Sequence, residues 1–238
     1  MDPAGKRAIV LGGTSGIGLA TAQLLQSQGA EVIALSRSAD NAARAREVLG
    51  PAADIRQLDV LDREAMAALF AEVAPIDILV NAATGGERAM GPFLEMDLDG
   101  FEGSFRKLWG YVNSVRLGGP HLSEDGCIVL VSGSPARKCP PGFAAISSVG
   151  NAVEGFCRAV APEIAPRRIN VVAPGFIDTP MFPVQGEARE EFLLQATAGN
   201  VIKRAGTPEE IADAIVFTVR NDFVTGTTVD VDGGALLP

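Results

Sequence analysis

The run Gly12-Gly13-Thr14-Ser15-Gly16-Ile17-Gly18 follows directly on a short apolar stretch, 7–11, and leads into residues of helical character, 16–28. Few features restrict a fold as much. Glycines at these intervals permit a tight turn, let the backbone come close to a pyrophosphate, and allow the helix to pack tightly on the strand. The start of the helix presents unpaired N–H groups to the anion. Gly12, Thr14, Ser15, Gly16, Ile17 and Gly18 are therefore candidate phosphate-cradling residues.

A strand–turn–helix unit of this kind needs a parallel sheet around it, and the rest of the chain supplies one. Apolar, largely β-branched runs at 7–11, 31–36, 55–59, 76–81, 127–132, 169–173 and 228–231 alternate with Ala/Leu-rich stretches at 16–28, 39–49, 63–73, 98–117, 142–165 and 208–218. Strands that are apolar throughout are covered on both faces. The expected fold is α/β: a Rossmann-type, doubly wound, parallel seven-stranded sheet with helices on both faces. Residues 1–238 read as a single dinucleotide-binding domain, with the polar, weakly periodic stretch 181–204 as a substrate lid.

Composition narrows the partners. A net charge of -9 argues against a nucleic-acid backbone, which is normally met by a basic face. There is no run of eighteen apolar residues and no apolar leader, so a soluble, cytoplasmic protein without a membrane partner is expected. Cys127, Cys139 and Cys157 form no Cys-x-x-Cys pair and read as free structural thiols, with no metal site.

Further motifs follow in order: Leu58-Asp59-Val60, Leu79-Val80-Asn81-Ala82-Ala83, Val172-Ala173-Pro174-Gly175 with Thr179, and Val224-Thr225-Gly226 through Val231-Asp232-Gly233-Gly234. Together with the glycine run they make the chain resemble the short-chain dehydrogenase/reductase family over nearly its whole length. The resemblance implies that Asp59 bonds the adenine amino group with Val60 packed beside it. It implies that Asn81, Ala82 and Ala83 lie against the adenosine ribose, although Ala82 and Thr84 depart from the usual Asn-Asn-Ala-Gly. Pro174, Gly175, Ile177 and Thr179 are the implied nicotinamide-side residues, with the Ile177 backbone and the Thr179 side chain on the carboxamide. Members that bind NAD carry an acid at the end of the second strand; here Ser36 and then Arg37 stand in its place, a hydroxyl and a cation suited to the 2′-phosphate of NADP(H).

The catalytic region departs from the family. A gap-free match through Gly142-Phe143-Ala144-Ala145 and Val153-Glu154-Gly155-Phe156 puts Ile146 where the family has its proton-donating Tyr and Gly150 where it has its Lys. The family's Ser position falls on Gly133, flanked by Ser132 and Ser134, and its Asn position on Lys107. Candidate catalytic residues are thus Lys107, Ser132 and Tyr111, each with a plainer reading: a surface lysine, the end of a strand, a packing aromatic. His121 reads as structural, and Arg137 and Lys138 as solvated loop charges. Two functions fit. One is an NADP(H)-dependent oxidoreductase that reduces a small carbonyl, imine or activated alkene with a non-standard proton donor. The other is a redox-silent relative that uses the dinucleotide structurally. The resemblance also implies a homo-oligomer, a dimer or tetramer.

Overall fold

The computed structural model describes residues 1–84, 88–182 and 184–238. Seven strands, β1 (Arg7–Leu11), β2 (Glu31–Ser36), β3 (Asp54–Gln57), β4 (Ile76–Asn81), β5 (Leu122–Val131), β6 (Arg168–Pro174) and β7 (Thr228–Val231), form one sheet in the order β3-β2-β1-β4-β5-β6-β7. Every pairing is parallel. The direction of winding reverses between β1 and β4, which leaves a crevice beyond their carboxyl ends, the usual ligand position in such sheets.

The strand side chains alternate between two cores. Ala8 and Val10 of β1 face one cluster and Ile9 and Leu11 the other, as the two-residue period of a strand requires. The first cluster is roofed by α1 (Gly16–Ser27), α2 (Ala39–Leu49) and α8 (Pro208–Arg220). The second is roofed by α3 (Arg63–Val73), α5 (Arg106–Gly118) and α6 (Ala144–Val160). Full burial of one large side chain such as Phe70 is worth about 1.5–3 kcal/mol.

Local signals set the helix starts. Ser38 and Asp62 accept the Asn41 and Ala65 N–H groups at the heads of α2 and α3, and Thr207 and Glu210 form a capping box before α8. The head of α1 differs: Ser15 makes no side-chain cap and no acid lies in the first turn. Its positive end is left for an anion.

Three expectations need correction. The helix expected over 98–117 is two: α4 (Leu98–Ser104), capped by Asp97, and α5, with a break at Phe105. Gly100 and Gly103 weaken the first segment, and the break places Lys107 in the first turn of α5. The stretch 181–204 contains a helix, α7 (Glu187–Thr197), whose good helix formers carry little apolar periodicity; Pro183 of that stretch lies outside the described residues. Arg137 is no solvated loop charge, because it is paired with Asp230 and lies 3.5 Å from Glu154. No helix among the described residues is long and apolar enough to cross a membrane.

Candidate active site

A continuous cleft of about 2140 Å³ runs along the carboxyl edge of the sheet, from Arg37 and Arg44 at one end to Lys107 and Phe192 at the other. It exceeds the about 300–1,000 Å³ of an ordinary small-molecule pocket, so it can take a dinucleotide and a second molecule together. Its floor is the glycine turn. Gly12 has φ +77°, and a Cβ there would lie 2.7 Å from the Ala83 nitrogen; a Cβ on Gly18 would lie 2.1 Å from the Gly12 oxygen. Side chains at either place would force β1, β4 and α1 apart, so the backbone itself forms the surface, with the uncapped head of α1 directed into it. This arrangement fits a pyrophosphate.

Toward the end of the cleft that carries Arg37, the residues Ser36, Val60, Ala82 and Ala83 also line it. The Ser36 hydroxyl accepts the Ser38 N–H at 3.1 Å. Asp59 stands just outside the lining: it accepts the Leu61 N–H at 2.9 Å and lies 3.7 Å from Arg37. Asn81 is fully buried away from the cleft, with its amide donating to the Ser114 hydroxyl at 2.9 Å and accepting the Ala83 N–H at 3.1 Å. It ties the end of β4 to α5. Sequence reading missed Arg44, which α2 turns toward the same end of the cleft and which bonds the Asn41 side chain.

At the far end, Pro174, Gly175, Ile177 and Thr179 line the cleft. Gly206 donates to the Phe176 carbonyl and accepts from the Asp178 N–H, both at 2.9 Å. The Ile177 N–H and C=O face the other way and have no hydrogen-bond partner among the described residues. That free peptide edge can both donate to and accept from a carboxamide. The buried Thr179 packs beside Gly16, and its carbonyl accepts from Arg189 of α7 at 3.0 Å.

Lys107, Gly133, Ile146 and Gly150, the four positions that the gap-free match sets against the family's proton-relay residues, all open on this cleft, as do Ser132 and Tyr111. Tyr111 is fully buried and donates to the Val131 carbonyl at 2.8 Å; burial pushes its phenol well above the usual range. The Ser132 hydroxyl lies 3.3 Å from the Gly150 carbonyl and 3.4 Å from the Glu154 carboxylate. Burial raises the Glu154 carboxyl, against the opposing pull of Arg137. A Cβ on Gly150 would meet the Ala136 Cβ at 2.9 Å.

Lys107 is recessed rather than exposed. Its ammonium lies 3.5 Å from the Ser132 carbonyl and 5.5 Å from the centre of the Tyr111 ring. Burial, and then the positive charge of Arg88, push it down to about 7, which suits an acid working near neutral pH. Among the described residues, no cluster of three His, Cys, Asp or Glu side chains is arranged to hold a metal.

Known proteins match this description. The family model described as enoyl-(acyl carrier protein) reductase matches residues 12–235. A short-chain dehydrogenase/reductase of Stachybotrys chlorohalonatus, ATR9, is 30% identical, with 98% of each chain covered. Among solved structures, a short chain dehydrogenase/reductase family protein is 33% identical with a TM-score of 0.86, covering 100% of both chains. A small-chain dehydrogenase solved in complex with NADPH is 26% identical with a TM-score of 0.83, covering 98% of this chain and 100% of that one.

Proposed function

The chain belongs to the short-chain dehydrogenase/reductase family, and from that premise we propose that it is an NADP(H)-dependent oxidoreductase reducing a small carbonyl, imine or activated alkene with Lys107 as the proton donor. The observation that carries this reading is the recessed Lys107 ammonium, held near neutrality at the end of a cleft whose other side is a phosphate cradle. The head of α1 and its glycines hold the pyrophosphate, and Arg37 with Arg44 holds the 2′-phosphate. Asp59, Val60, Ala82 and Ala83 bound the adenosine, with Asn81 supporting them from behind. The Ile177 peptide and Thr179 hold the carboxamide. When bound, the nicotinamide supplies the hydride.

Ile146 and Gly150, in the positions of the family's tyrosine and lysine, have no proton to give, and the Tyr111 hydroxyl is committed to β5. Lys107 is a protonatable group at that end, and the Ser132 hydroxyl lies beside it, 3.4 Å from the Glu154 carboxylate. Its ammonium offers three N–H donors, of which the Ser132 carbonyl takes one. Residues 181–204, a lid on a single domain in this reading, close the cleft through α7. Arg189 bonds the Phe182, Val184 and Thr179 carbonyls and pairs with Asp178.

One observation favours the redox-silent alternative: a Cβ at Gly150 would lie 2.9 Å from the Ala136 Cβ, so position 150 has no room for a side chain reaching toward the nicotinamide ribose. Turnover of NADPH against ketones, imines and activated alkenes as a function of pH separates the two. An acid must be protonated, so reductive kcat/KM, which reports the enzyme before substrate binds, falls as pH rises through about 7. Lys107→Met lowers kcat by about 10²–10⁴-fold, the usual worth of a general acid. Lys107→Arg keeps the charge but releases no proton, and it loses kcat as well. Full activity with an unchanged pH profile in Lys107→Met overturns the assignment.

A further inference from the structure

The cations of the cleft and its walls fall into two groups. Arg37 pairs with Asp59, Arg189 with Asp178, and Arg137, behind the wall, with Asp230; Lys138 donates to the Leu237 carbonyl at 2.7 Å. Among the described residues, Arg44, Arg88, Lys107 and Lys138 have no carboxylate partner, and Lys138 alone of these is closely held by a carbonyl, at 2.7 Å against 3.5 Å for Lys107. Arg44 stands at the end assigned to the 2′-phosphate. Arg88 and Lys107 stand at the other end, close enough for the guanidinium to repel the ammonium. Among the described residues, the hydrogen-bond acceptor of the Arg88 guanidinium is the Met181 thioether sulfur, a weak acceptor.

Two cations on one cleft with no carboxylate partner among the described residues work against each other, and they do so in a chain whose net charge is -9. Two described acids near this end, Asp178 and Glu154, are already taken by Arg189 and Arg137. An external anion is the partner that relieves the pair. The same cleft carries an apolar cluster: Phe176 and Phe182 are stacked with centroids 4.6 Å apart, and Phe192 stands edge-on to Phe176 at 5.5 Å. All three rings line the cleft.

We infer that Arg88 and Lys107 form a carboxylate-binding site, and that the substrate is an organic acid whose carboxylate sits between them while its apolar or aromatic body lies against Phe176, Phe182 and Phe192. The inference rests on the reductase reading for the place where the substrate reacts. The carboxylate is held by charge-assisted bonds, the strong kind. It also favours the charged form of Lys107, keeping the proton in place until the substrate takes it.

The test is calorimetric titration of the NADPH-saturated protein with benzoate and cinnamate, each compared with its neutral amide. Because one charge-assisted bond separates acid from amide, each acid binds about tenfold or more tighter than its amide. Arg88→Met, a change at an exposed position, removes most of that preference with NADPH affinity and melting temperature unchanged. Lys107→Met removes it too. Equal binding of acids and amides, or a preference that survives Arg88→Met, overturns the carboxylate site and leaves the cofactor reading intact. If the wild-type protein does not bind NADPH, the reductase reading fails, and the same titrations are made without cofactor. There an acid preference lost in Arg88→Met supports the site, and no preference overturns it.

Discussion

Removing the Arg37 guanidinium tests the cofactor end of the cleft quantitatively. Arg37 lies 3.7 Å from Asp59, with the two side chains 54% and 39% exposed. An exposed ion pair of that kind contributes at most about 1 kcal/mol, so Arg37→Ala leaves the fold and NADH binding nearly unchanged. A charge-assisted bond from Arg37 to a 2′-phosphate is worth about 1.5–3 kcal/mol, or about tenfold to a hundredfold in affinity. The bare Asp59 carboxylate then adds repulsion against the phosphate. Titration of wild type, Arg37→Ala, Arg44→Ala and the double variant with NADPH and with NADH, by calorimetry at low and high salt, reads each contribution. The wild type prefers NADPH, each single variant loses about tenfold or more for NADPH alone, and the double variant scarcely distinguishes the two cofactors. The preference also weakens with salt, as an exposed charge contact must. Equal weakening of NADPH and NADH in Arg37→Ala, or equal affinities in the wild type, refutes the assignment of this end to the 2′-phosphate.

Two further outcomes follow from the other end of the cleft. Tyr111→Phe removes the bond to the Val131 carbonyl and destabilises the fold by about 1–3 kcal/mol; thermal melting detects this, while the pH dependence of turnover stays as in the wild type because the hydroxyl takes no part. Ile146→Tyr with Gly150→Lys does not raise ketone reduction, since the Gly150 Cβ meets Ala136 at 2.9 Å; adding Ala136→Gly opens the space, and turnover of simple ketones by the triple variant is the readout.

The sheet was legible because strands covered on both faces must be apolar throughout, and the runs at 7–11, 76–81 and 228–231 match β1, β4 and β7 residue for residue. The glycine turn was legible because the close backbone approach at Gly12 and Gly18 admits only glycine. The break at Phe105 was not: the apolar spacing continues across it, and the interruption comes from the Asp97 cap and two glycines acting together. The helix α7 escaped notice because its contacts are made by single residues, Phe192 and Arg189, rather than by a periodic face. Arg44 and Arg88 were missed for a different reason. Nothing in the sequence marks a cation as unpaired; that depends on which acids the fold brings near it. Asn81 shows the converse, a motif residue whose amide is directed into the structure rather than into the cleft.

The central claim, that this chain moves a hydride from NADPH with Lys107 supplying the proton, is tested most directly by following deuterium. The protein is incubated with NADPH deuterated at the transferring position and with carboxylate-bearing ketones, imines and activated alkenes, and the products are weighed by mass spectrometry at pH values on both sides of 7. The account predicts one deuterium in a reduced product, formed at limiting substrate more slowly as pH rises through about 7 and about 10²–10⁴-fold more slowly by Lys107→Met. NADPH bound tightly with no deuterium in any product, or label transferred equally well by Lys107→Met, contradicts it.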